Sequence, residues 1–152
     1  MGLKIAVGCD HTGREHLDAL KKYLSEASLD FEIERVIEFS GEDYPEVALK
    51  VGNAVSSHIA DRGILICGAG IGMCIAANKV KGIRSAVCNA PDLAAISRKH
   101  NDLNVIALGA RLISASLVPP IIKEWLTTDF EGGRHMVRLN KITAAESGLL
   151  SL

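Results

Sequence analysis

Ile64-Leu65-Ile66-Cys67-Gly68-Ala69-Gly70-Ile71-Gly72-Met73-Cys74-Ile75-Ala76-Ala77 is the stretch on which the reading of the fold turns. Consecutive aliphatics make a short buried strand, alternate glycines make a turn, and an apolar helical run follows from Met73. Cys67 therefore stands where a strand ends and a helix is about to begin. There, glycines let backbone N–H groups approach an oxygen, and the helix dipole favours negative charge. A thiol opening on such an anion pocket suits carbanion or enolate chemistry, although a free cysteine ending a core strand is also an ordinary small hydrophobe.

Better-known glycine loops do not fit. A dinucleotide fingerprint needs glycine at the place of Met73, and a Walker A loop ends in Gly-Lys-Ser/Thr, which is absent. A thiol phosphatase carries arginine six residues after its cysteine, where Met73 again stands.

Working outward, apolar runs at Lys4–Cys9, Phe31–Phe39, Gly63–Cys67, Arg84–Cys88 and Asn104–Leu108 alternate with segments of helical period. Leu17, Leu20, Leu24 and Ala27 line one face of a first helix; Val47, Val51, Val55 and Ile59 line a second, which Pro45 opens. Strands of continuous aliphatics are those covered on both faces. The pattern predicts an α/β chain, a three-layer α/β/α sandwich, Rossmann-like, with a five-stranded parallel sheet. Ligands bind at the carboxyl edge of such sheets. Cys9-Asp10-His11, Cys67-Gly68 and Gly109-Ala110-Arg111 follow strands, and His100-Asn101-Asp102 feeds the fifth, so polar residues are expected to gather at one edge. A basic segment from about Asp129, containing Gly132-Gly133-Arg134-His135 and Arg138, precedes a final helix expected from Lys141. His16 and His58 read as surface residues of helices.

The 152 residues, 48% apolar and 4% aromatic, suffice for one aliphatic core, and residues 1–152 are read as a single domain. A net charge of −1 gives no general attraction to nucleic acid or anionic membranes, so neither is expected as a partner. No apolar run has transmembrane length, and Met1-Gly2-Leu3-Lys4 leads into a strand-like stretch, so a cytoplasmic location is expected. Cys9, Cys67, Cys74 and Cys88 form no C-x-x-C pair and are expected to be reduced.

Gly8-Cys9-Asp10-His11, Asp43-Tyr44-Pro45, Cys67 to Gly72, Ile75-Ala76-Ala77-Asn78-Lys79, His100-Asn101-Asp102 and Gly132-Gly133-Arg134-His135 occur in order. Together they resemble type B ribose-5-phosphate isomerase, over nearly the whole chain. The resemblance implies aldose–ketose isomerisation of ribose 5-phosphate and ribulose 5-phosphate through an enediolate. Its wider family acts on allose and galactose 6-phosphates, and on tetrose 4-phosphates. It implies Cys67 as the base, with another branch using a carboxylate at the place of Met73. It also implies His100 as the ring-opening group.

Chemistry of the residues agrees with this. Thiolates act as bases where their pKa is lowered, and glycine N–H groups at a helix start are such a setting. Gly68 and Gly72 N–H groups with the Asn101 amide form the expected anion hole. Asp10 is expected to orient a ring hydroxyl or the imidazole of His100. His11, Arg111, Arg134 and Arg138 match phosphate ligands, and arginine's planar fork suits a dianion. Tyr44 is read either as a substrate hydrogen-bonder or as helix-entry packing. His135 and Lys79 stay unassigned. No metal and no cofactor is called for. The resemblance further implies a homodimer, or a dimer of dimers, whose sites combine the cysteine loop of one chain with His100 and the arginines of its partner. One departure stands out: Ala69 replaces the family's usual serine or threonine. Its missing hydroxyl leaves a different phosphosugar, or phosphosugar binding without catalysis, as the competing readings.

Overall fold

Ile64 and Ile66 are buried in one core and Leu65 and Cys67 in another, because successive side chains of a strand point to opposite faces. A strand apolar throughout must therefore be covered twice. The computed structural model describes residues 2–149 apart from 28, 30, 31 and 42. The chain runs β1 (Leu3–Cys9), α1 (Arg14–Glu26), β2 (Ile33–Ser40), α2 (Tyr44–Ser56), β3 (Arg62–Cys67) and α3 (Ile71–Ala77). It continues as β4 (Ser85–Val87), α4 (Pro91–Asn101), β5 (Val105–Gly109), a 3-10 turn at Ala115–Leu117, α5 (Val118–Thr127) and α6 (Arg134–Glu146). All strand pairings are parallel, in the order β2-β1-β3-β5-β4.

Leu20 and Leu24 of α1, Ala94 of α4, and Ile121, Ile122 and Trp125 of α5 cover one face with Ile5, Val7, Ile106 and Leu108. On the other, Val47, Val51 and Val55 of α2 and Met73 and Ala77 of α3 meet Ala6, Val105 and Ala107. This is the three-layer sandwich with five parallel strands that the periodicity predicts. Strand order turns back between β1 and β3, so the segments after Cys9 and Cys67 flank the crevice where open α/β sheets take ligands.

Several local expectations need correction. Strand ends move by a residue or two, and the expected start of β2 at Phe31 lies outside the described residues. Ala27 caps α1 rather than extending its stripe. Ile59 is exposed, because α2 stops at Ser56 and His58 takes a left-handed φ of 60° past the helix end. His16 is buried, with Nε2 2.8 Å from the Ile113 carbonyl oxygen. The last helix starts at Arg134, not Lys141, directly after the Gly132-Gly133 turn. It lies largely off the sandwich: His135 and Leu139 are its buried residues, while Met136, Val137 and Ile142 are exposed.

Burial pushes the Cys9 thiol up from 9.0 to about 11, with neighbouring Asp10 adding to the shift. The folded state thus holds this proton more tightly than the unfolded chain. Its contribution to stability is complete below pH 9 and is lost as pH rises to about 11. Denaturant midpoints of Cys9→Ala should therefore fall less than those of the parent between these pH values; an unchanged alkaline slope would contradict the shift.

Candidate active site

Cys67 ends β3 paired with Gly109, the last residue of β5. Its carbonyl accepts from the Ala110 N–H at 2.8 Å, and the Gly68 carbonyl accepts from the Arg111 N–H at 2.9 Å. The two strand exits are thereby tied together. Arg111 lies over Gly68, its guanidinium 3.4 Å from where a Cβ would stand. Gly70 takes φ +78°, the left-handed conformation that turns the strand into α3. At Gly72 a Cβ would sit 2.5 Å from the Tyr44 ring, so the glycine admits the tyrosine at close range. Tyr44, 43% exposed at the start of α2, thus roofs the first turn of α3. The opening N–H groups of that turn have no acceptor within the helix. Met73 is 0% exposed and shares the core cluster of Cys67.

Across the β1–β3 crevice, Asp10 is 9% exposed and its N–H donates to the Ile66 carbonyl at 3.2 Å. Asp10 Oδ1 accepts from the Thr12 N–H at 2.9 Å and from the Thr12 hydroxyl at 2.6 Å, which fixes the carboxylate in its turn. His11 follows and is exposed. Cys9, Asp10, His11 and Arg14 line a cleft of about 580 Å³ with Glu38 and Ser40. Arg14 carries no signal in the sequence beyond its place five residues after the strand.

His100, Asn101, Arg134 and Arg138 are elsewhere. In a parallel sheet the residues before a strand lie at the edge opposite those after it, and Asn104, just before β5, accepts from Gly63 near the start of β3. At about 3.3 Å per residue, the length of β5 separates the His100 end of α4 from Cys67 by roughly 15 Å. The expectation that the polar residues share one edge is therefore wrong: Asp10, His11, Tyr44, Cys67, Gly68, Gly72 and Arg111 hold the carboxyl edge, and His100 and Asn101 the other. No hydrogen bond or ion pair among the described residues joins the groups.

The second group is itself well built. Asp102 adopts a left-handed φ of 44° at the end of α4, and its N–H bonds to the Arg98 carbonyl at 3.1 Å. Arg98 and Arg84 clamp its carboxylate at 2.9 and 3.0 Å, fixing the exit of His100-Asn101. The Glu131 N–H donates to the Lys99 carbonyl at 3.1 Å, which draws the start of α6 against that exit. His135 then stacks on His100, ring centroids 4.3 Å apart and planes 10° apart. Arg134 and Arg138, one turn apart on α6, are both exposed beside it. The contact spans distant stretches of chain, so the sequence leaves His135 unassigned. Nitrogens of the two histidines and a Glu131 oxygen lie within 4.8 Å of one another. Parallel rings nevertheless aim their lone pairs along parallel planes, and one ion cannot lie in both.

Among the described residues no helix is long and apolar enough to cross a membrane. A family model described as Ribose/Galactose Isomerase matches residues 5–142. Ribose-5-phosphate isomerase B of Escherichia coli K12 is 43% identical over 143 residues, covering 94% of this chain and 96% of the relative. D-erythrulose-4-phosphate isomerase of Pectobacterium atrosepticum is 42% identical over 146 residues, covering 92% and 93%. The structure of Clostridium thermocellum ribose-5-phosphate isomerase B matches with a TM-score of 0.89 at 42% identity, over 97% of this chain and 100% of that one.

Proposed function

The chain belongs to the ribose/galactose isomerase family and is a sugar phosphate isomerase, and from that premise we propose that it interconverts ribose 5-phosphate and ribulose 5-phosphate with Cys67 as the base. The observation that carries this reading is the place of Cys67, between a core strand and a glycine loop at the carboxyl edge. No carboxylate stands at Met73 to compete for the role. The Cys67 thiolate takes the C2 proton of the open-chain aldose and returns it to C1, while a second proton passes from O2 to O1. The enediolate between them is held by the N–H groups at Gly68 and Gly72 and by the partner subunit's Asn101.

Two copies complete the site. His100 and Asn101, with Arg134 and Arg138 beside them, lie at the edge opposite Cys67 within one chain, and α6 leaves apolar side chains uncovered. In a homodimer the partner subunit's His100 opens the furanose, and the partner's Arg134 and Arg138 hold the phosphate with Arg111 and His11. Asp10, its carboxylate already fixed by Thr12, orients a ring hydroxyl. Tyr44 closes the pocket over Gly72.

A second reading has support from Ala69 and from the Pectobacterium relative: a four-carbon phosphosugar as substrate. Assaying aldose and ketose phosphates of four, five and six carbons decides between them, and kcat/KM highest outside the pentoses refutes the ribose assignment. If the missing hydroxyl limits proton relay, Ala69→Ser raises kcat on the native substrate by about tenfold with KM little changed, below the 10²–10⁴-fold ceiling of a positioned proton-transfer group. Unchanged or lower kcat on every phosphosugar instead identifies Ala69 as space for a different substrate.

A further inference from the structure

We propose that His135 is a positioning residue for His100, acting as a flat platform that fixes the plane of the imidazole during ring opening. The inference rests on the reading of His100 as the ring-opening group. His135 is 6% exposed and its Nε2 has no hydrogen-bond partner among the described residues; Glu131 Oε2 lies 3.6 Å away, beyond hydrogen-bond reach. A buried polar nitrogen left unsatisfied costs free energy, so its presence asks for a reason beyond packing. The reason on view is the ring face: His100 lies parallel to it at 4.3 Å, at the end of a helix where its side chain has no hydrogen-bond partner among the described residues. Desolvation holds the His135 pKa below its ordinary value, and His100, Arg134 and Arg138 lower it further against the pull of Glu131. The platform is thus a neutral ring near neutral pH, which leaves His100 free to give or take a proton without a second cation stacked on it.

Ring opening is needed only by substrates that close. Ribose 5-phosphate closes to a furanose through O4, whereas 4-deoxyribose 5-phosphate, which lacks O4 and has O5 esterified, stays open-chain. His135→Ala in the assembled enzyme is therefore expected to lower kcat/KM for ribose 5-phosphate about 10²-fold, and for ribulose 5-phosphate by the same factor, because the overall equilibrium constant fixes the ratio of the two. For 4-deoxyribose 5-phosphate kcat/KM should fall less than about threefold, a split that general structural damage does not produce. His135→Phe keeps a flat ring, loses no hydrogen bond, and should stay within about threefold of the parent on both aldoses. Where alanine prevents folding, His135→Leu, apolar but without a flat face, takes its place. Equal losses on the two aldoses, or a phenylalanine variant as impaired as the alanine one, overturn the platform. His100→Asn run in parallel separates the two ideas. If it shows no split between the two aldoses, the ring-opening reading fails and this inference with it; if it shows the split and His135→Ala does not, the inference alone fails.

Discussion

Cys67→Ala is expected to lower kcat for isomerisation by about 10²–10⁴-fold, the usual worth of a positioned proton-transfer group. Phosphosugar affinity should be nearly unchanged, because the phosphate is held by other residues. Neither Met73 nor Cys9 can substitute. Met73 is buried and cannot accept a proton. Cys9 lies near Cys67 in the sheet but belongs to the opposite core, and burial keeps its thiol protonated up to about pH 11. Deuterium incorporation from solvent at the substrate carbon is the direct measure, since it follows proton abstraction whether or not product is released. Near-parental isomerisation by Cys67→Ala would remove the thiol from the chemistry. Alanine variants of Cys9, Cys74 and Cys88 serve as controls, expected to change stability more than turnover.

What the sequence discloses and what it hides divide along a physical line. Strands and core faces were legible because burial on both sides imposes unbroken aliphatic runs, as at Ile64–Ile66, and because helices advertise one face, as with Leu20 and Leu24. The turn at Gly70 and the close approach at Gly72 were legible as glycines, although not the tyrosine that needs the second of them. Where features depend on direction or on long-range contact, local pattern is silent. His100-Asn101 reads as one more polar cluster beside a strand, and only the parallel register puts it at the edge opposite Cys67. His16 carries no mark of burial, since its partner is a carbonyl nearly a hundred residues away. The start of α6 was misplaced because its first turn, Arg134 to Val137, is mostly exposed and shows no stripe until Leu139.

That opposed placement makes a large effect accessible by mixing two inactive proteins. Cys67→Ala and His100→Asn subunits should each be nearly inactive on ribose 5-phosphate as homodimers. Co-expressed in equal amounts and assembled at random, about half the dimers are mixed, and each mixed dimer has one site with both defects and one with neither. Activity should therefore return to roughly a quarter of the parental value. Were Cys67 and His100 to act from the same chain, every site in a mixed dimer would carry one defect and no activity would return. The two geometries thus predict recovery and its absence from the same sample. A control in which one chain carries both substitutions beside an unaltered partner keeps one defect in each composite site, and should be inactive as a mixed dimer. The roughly 15 Å set by β5 between the two edges is too far for an imidazole to cross by side-chain rotation, so recovery requires the second chain.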